Sequence, residues 1–115
     1  MPVLSKLKST YIVWYQYHRI LPKIHRHSLG VKIDSLFVEA IEAVSIATFL
    51  QKEEKLPWVR LAIRKIDTVK VMLNILWEIK SLEEKKYIDL SIKIEEIGKM
   101  LGGWSGQITK TTQKK

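Results

Sequence analysis

Apolar positions recur at helical spacing in four stretches of the chain. Leu4, Leu7, Tyr11, Trp14, His18 and Leu21 step by three and four, one face of a helix that stops near Pro22, because the residue before a proline is pushed out of helical geometry. Ile33, Leu36, Phe37, Ala40, Ile41, Val44, Ala47 and Leu50 form a second face, with Gly30 marking a kink or the close approach of another backbone. Pro57 suits a first helical position and opens the third helix. Ser81-Leu-Glu-Glu84 reads as a capping box that opens the fourth. Tyr87, Leu90, Ile94, Ile97, Leu101 and Trp104 follow, and Gly102-Gly103 reads as its stop. The pattern predicts helices over about 5–21, 23–52, 57–80 and 82–102, a bundle spanning 1–104, and a polar basic tail, 105–115, that is disordered when unbound. Helices of similar length with short connections run antiparallel to their neighbours. The expected fold is therefore all-α, an antiparallel four-helix bundle of up-down-up-down course.

The third helix carries more apolar surface than such a bundle can bury. Its core stripe is Val59, Ala62, Ile66, Val69, Met72, Leu73, Leu76, Trp77 and Ile79. Ile63, Val71 and Ile75 fall on what should be its solvated face, and Val38, Ala43, Ile46 and Phe49 do the same on the second helix. A helix tucked deeper than its neighbours would explain this. A second buried face explains it better, so Phe49, Ile63, Val71 and Ile75 are the expected contacts of a homo-oligomer.

Composition adds the sign of the surface. Of 115 residues 46% are hydrophobic and 28% charged, a globular balance, and Lys and Arg exceed Asp and Glu by 20 to 12, a net +8. The surplus is uneven: residues 1–30 carry +5 with no acid, 31–55 carry −2, 56–80 carry +3, 81–104 carry −1 and 105–115 carry +3. Lys6, Lys8, Arg19, Lys23, Arg26, Arg60, Arg64 and Lys70 are therefore the candidate contacts to nucleic acid or an acidic partner. For any one of them a solvated, ion-paired face is the simpler reading; the pattern as a whole favours a polyanion. Tyr15 and Tyr17 could stack on bases, whereas Tyr11 and Trp14 lie on the core stripe. The apolar run from Leu36 to Leu50 is too short to span a bilayer and contains Glu39 and Glu42, so a soluble cytoplasmic protein is expected.

Enzyme chemistry finds no foothold. There is no cysteine, hence no disulfide, thiolate metal site or cysteine nucleophile. His25 and His27 stand two apart, which points them to different helix faces, and His18 lies on the apolar stripe. Carboxylates come as neighbouring pairs that diverge around a helix, without the Glu-x-x-His of di-iron bundles. No phosphate loop or nucleophile elbow occurs. No catalytic residue, metal or cofactor is expected.

Two stretches, Leu21-Pro-Lys-Ile-His-Arg-His-Ser-Leu-Gly30 with the following Val-Lys-Ile, and Glu96-Ile-Gly-Lys-Met-Leu-Gly-Gly-Trp104, resemble the accessory variability determinant proteins of diversity-generating retroelements. That family sits within a broader group of four-helix proteins that includes those encoded in 23S rRNA intervening sequences. The latter usually show Asn-Ile-Ala-Glu-Gly at the end of the second helix, where this chain has Ile46-Ala-Thr-Phe-Leu50. The resemblance implies a ring-shaped homopentamer with a basic surface. Its partners would be the retroelement reverse transcriptase, the template-repeat RNA and the cDNA made in mutagenic retrohoming. It also implies that Gly30, Gly98, Gly102, Gly103 and Trp104 are framework positions, the glycines for close helix approach and stop, the tryptophan for packing.

Overall fold

The computed structural model describes residues 1–113, and the segments of regular structure among them are all helical. Four long helices, α1 (Pro2–His18), α3 (Leu29–Thr48), α4 (Lys52–Glu78) and α5 (Glu84–Gln113), form a bundle, with a one-turn α2 (Lys23–Arg26) at the first corner. α1 neighbours α3 and α5, and α4 neighbours α3 and α5, so α1 and α4 stand at diagonal corners. The bundle measures 52 × 20 × 19 Å, its long axis set by the 30 residues of α5.

The core follows the period read from the sequence. Leu7 and Trp14 of α1, Ile33, Phe37, Ala40 and Val44 of α3, Ile66 and Leu73 of α4, and Leu90, Ile94, Ile97 and Leu101 of α5 lie in one buried cluster. Ala43 belongs to it as well, although the sequence places it outside. Trp77 and Ile79, expected inside, stand about two-fifths exposed: Leu76 takes the buried position of the last turn of α4, and Trp77 stacks on Tyr87 beside it.

Several ends differ from expectation, each for a local reason. The second helix is two: Pro22 starts α2, and the chain turns through His27 and Ser28 before α3 begins. Pro57 does not open α4, which starts five residues earlier behind Gln51 with Glu53 and Glu54 in its first turn, where carboxylates favour the helix dipole. Pro57 sits inside the helix and has no N–H to give to its turn. The Ser81 capping box does not form. Lys80 takes the left-handed conformation (φ 64°), Lys80 N–H bonds to Trp77 O and Ser81 N–H to Leu76 O, the arrangement that terminates α4. Ser81 is spent on that C-cap: its hydroxyl is buried without a partner, and α5 begins only at Glu84.

The largest difference is at Gly102-Gly103, where α5 does not stop but continues to Gln113. Burial overrides propensity here: Ile108 packs with Ala47 and Val59 in a second small cluster, flanked by Trp104 and Leu56. Residues 105–113 are thus helix rather than tail, and Lys114 and Lys115 lie outside the described residues. A Cβ on Gly102 or Gly103 would meet nothing within 4 Å. Neither glycine serves close helix approach within the chain, and each costs its helix about 0.5–1 kcal/mol relative to alanine. Gly102→Ala should accordingly raise the unfolding free energy by about that much and move the urea midpoint up; an unchanged or lower midpoint would contradict a continuous α5.

Candidate nucleic-acid and partner surfaces

The motif that carries the resemblance builds the first corner. His18, at the end of α1, stacks on Trp14 with ring centroids 5.1 Å apart. Its Nε2 lies 2.9 Å from Arg26 O; a carbonyl only accepts, so Nε2 carries the proton. The other ring nitrogen lies 4.0 Å from Asp34, whose carboxylate accepts from the Tyr11 hydroxyl at 2.9 Å. Arg26 Nε donates to Leu21 O, which ties the side chain back across the turn. Gly30 passes so close that an added Cβ would lie 2.6 Å from His18 Cδ2 and Nε2. The approach is to a side chain and to His25 O, 3.1 Å from that Cβ position.

The candidate cations separate into paired and unpaired sets. Lys6 bonds Glu96 at 2.8 Å, and Lys70 bonds Glu95 at 3.0 Å beside Gly98. Lys70 therefore lies in the α4–α5 groove and not on the side of Arg60 and Arg64, about 100° away around the helix. Arg26 is half-buried in its turn. Lys8, Arg19, Lys23, Arg60 and Arg64 are exposed and take part in none of the ion pairs among the described residues. These five do not form one patch: Lys8 and Arg19 project from α1, Lys23 from α2, and Arg60 and Arg64 from α4, at the corner diagonal to α1. Sequence reasoning did not single out Lys32, Lys52, Lys80, Lys85 and Lys99, which are also exposed; lone lysines on polar faces gave no signal.

The candidate apolar contacts separate too. Phe49 is 88% exposed at the α3–α4 turn, and Val71 and Ile75 project from the outer face of α4, beyond Arg64. Ile63 instead packs against both core clusters at the rim of the α4–α5 groove. Of the four aromatics, Tyr11 and Tyr17 are tied to Asp34 and Asp89, Trp14 is buried, and Tyr15 stands half exposed on α1. Trp104 packs at the rim of both clusters with Lys55 over its ring, 5.9 Å from the centroid.

Electrostatics tie the helices together. Burial, then the hydrogen bond to Asp34, pushes the Tyr11 hydroxyl up to about 12. The neutral phenol is the form the fold favours, so this stabilisation is intact below pH 10 and is lost between pH 10 and about 12. Hydrogen bonds from Lys65, Lys93 and Lys6 hold Glu39, Asp89 and Glu96 below their ordinary values. Their contribution is full above about pH 4.5 and falls away as pH drops through those lowered values. Melting curves from pH 7 to pH 3 should show progressive acid destabilisation that 0.5 M salt blunts, since these pairs are largely exposed; a flat profile would contradict the pairing.

Among the described residues no group of three or more His, Asp or Glu could hold a metal ion, and no helix is long and apolar enough to cross a membrane. Fold and surface define a helical bundle with unpaired cations and exposed apolar side chains on several of its faces. The chain belongs to the bAvd-like family, whose model matches residues 3–108. That family is one of non-catalytic accessory proteins of diversity-generating retroelements. No curated protein shows significant similarity to the chain.

Proposed function

We propose that this protein is the non-catalytic partner of a retroelement reverse transcriptase. It assembles as a ring-shaped homo-oligomer, a pentamer, in the cytoplasm, and its basic surface holds template-repeat RNA and cDNA against the polymerase during mutagenic reverse transcription. The family match over residues 3–108 carries the reading. The order of cross-helix pairs supports an antiparallel, up-down-up-down course: Lys6 bonds Glu96 while Tyr17 bonds Asp89, and Tyr11 touches Phe37 while His18 touches Gly30. The exposed, unpaired Arg60 and Arg64 support polyanion contact. They lie one turn apart and are free to neutralise phosphates without breaking an ion pair. Such contact needs no base reading, because the polymerase and the RNA fold supply specificity. A ring multiplies the +8 of each chain and makes binding steeply dependent on salt.

Replacing both arginines by glutamate should weaken RNA binding at least about tenfold at 0.1 M salt and flatten the salt dependence by about two phosphate contacts, with an unchanged helical spectrum. Gel-shift titration at two salt concentrations reads this. Equal affinity in the double variant would remove α4 from the nucleic-acid surface, and no complex with wild type at 0.1 M salt would leave a purely protein-binding module.

A further inference from the structure

The outer faces of α1 and α3 are both unpartnered, and they differ in kind. α1 presents Lys8, Ile12, Tyr15 and Arg19, spaced 4-3-4, with Ile12 57% and Tyr15 50% exposed and no acid anywhere in residues 1–30. α3 and its C-cap present Val31, Ser35, Val38, Glu42, Ser45 and Phe49, spaced 4-3-4-3-4, the period of a seam on which another helix lies. No cation falls on that seam, so it repels a polyanion's charge and offers an acid instead.

We infer that the α1 face of one copy docks on the α3 face of the next. This rests on the homo-oligomer proposed above and names the two surfaces that would make it. Charge and apolar pattern match, and so does geometry. In a four-helix bundle the outer faces of neighbouring corners diverge by about 90°. A head-to-tail contact closes when its two faces diverge by 180° less one n-th of a turn, about 90° for four copies and about 108° for five. Faces at diagonal corners would build an open filament.

Closure also fixes register. Rotation about an axis parallel to the bundle leaves every residue at its own height. Within the chain Tyr11 lies level with Phe37 and His18 with Gly30, so Lys8 lies level with Ala40 and Ile12 with Leu36. The outward residues of the next copy's α3 within two positions of those levels are then Glu42 and Val38 about Lys8, Val38 and Ser35 about Ile12, and Ser35 and Val31 about Tyr15. One ion pair and two apolar contacts meet, and Arg60 and Arg64 stay free at the far corner.

A charge swap tests the pairing. Lys8→Glu and Glu42→Lys should each weaken self-association more than tenfold by sedimentation, and the double variant, K8E/E42K, should restore it. Both positions are exposed, so each variant should keep the helical circular-dichroism spectrum of the wild type. The chain has no cysteine, so Ile12→Cys combined with Val38→Cys gives a clean second readout: oxidation should link copies covalently in a ladder that ends at one closed size. Unchanged mass in both single variants, or no interchain disulfide, overturns the pairing. So does loss of RNA binding in K8E with assembly intact, which would make the α1 face a nucleic-acid surface. A monomeric wild type would overturn the oligomer reading itself, while the gel shift of the α4 arginines would still stand or fall alone.

Discussion

Gly30→Ala lowers stability by about 2 kcal/mol, although in an ordinary helix the same change gains about 1 kcal/mol. The added Cβ would lie 2.6 Å from two atoms of the His18 ring, and that ring is held on two sides. It is stacked on Trp14, which is fully buried, and its proton is held by Arg26 O. Overpacking of this kind costs about 1–3 kcal/mol beyond any helix gain. Urea unfolding reads the effect, and a second substitution assigns it. On a His18→Ala background most of the loss at position 30 should vanish, because the ring contact is gone and only the 3.1 Å approach to His25 O remains to offset the helix gain. A midpoint that rises in the single variant would mean the corner opens freely and that the motif around it does not lock α1 to α3.

Trp14→Ala is expected to lose about 3–5 kcal/mol, the range for deleting a buried aromatic ring. Trp14 is fully buried and packs on both His18 and Phe37 (centroids 5.1 and 6.2 Å), so it links the corner to the centre of the core. Its indole N–H is buried without a partner, which distinguishes a milder variant. Trp14→Phe keeps a ring and removes a donor that the fold leaves unsatisfied, so its loss should stay under about 1.5 kcal/mol. Equal losses for the two substitutions would mean that a feature of the indole which phenylalanine lacks, and not buried ring volume, decides the site. A loss under about 1 kcal/mol for alanine would remove Trp14 from the core's keystone contacts.

The core was legible because period 3.6 is a global signal: Leu90, Ile94, Ile97 and Leu101 had no other face to occupy. Ends were less legible because each rests on one or two residues that tertiary contacts outweigh. Gly102-Gly103 has the chemistry of a stop, yet Ile108 continues the spacing of Leu101 and Trp104, and its burial against Ala47 and Val59 carries the helix through. Ser81 has the chemistry of an N-cap and is consumed by the end of the preceding helix. Cations were legible as a surplus but not as sites. Lys6 and Lys70 turn out to be ion-paired, while Lys8 and Arg64, indistinguishable from them in sequence, are not. Which corner a residue occupies depends on helix order around the bundle, and no local pattern encodes that.

Co-expression with the reverse transcriptase of the same retroelement, followed by sizing with and without nuclease, tests the central claim most directly. The account predicts a complex in which several copies of this chain travel with one polymerase and with nuclease-sensitive RNA. A 13.4 kDa species eluting alone, indifferent to both polymerase and nuclease, would contradict it.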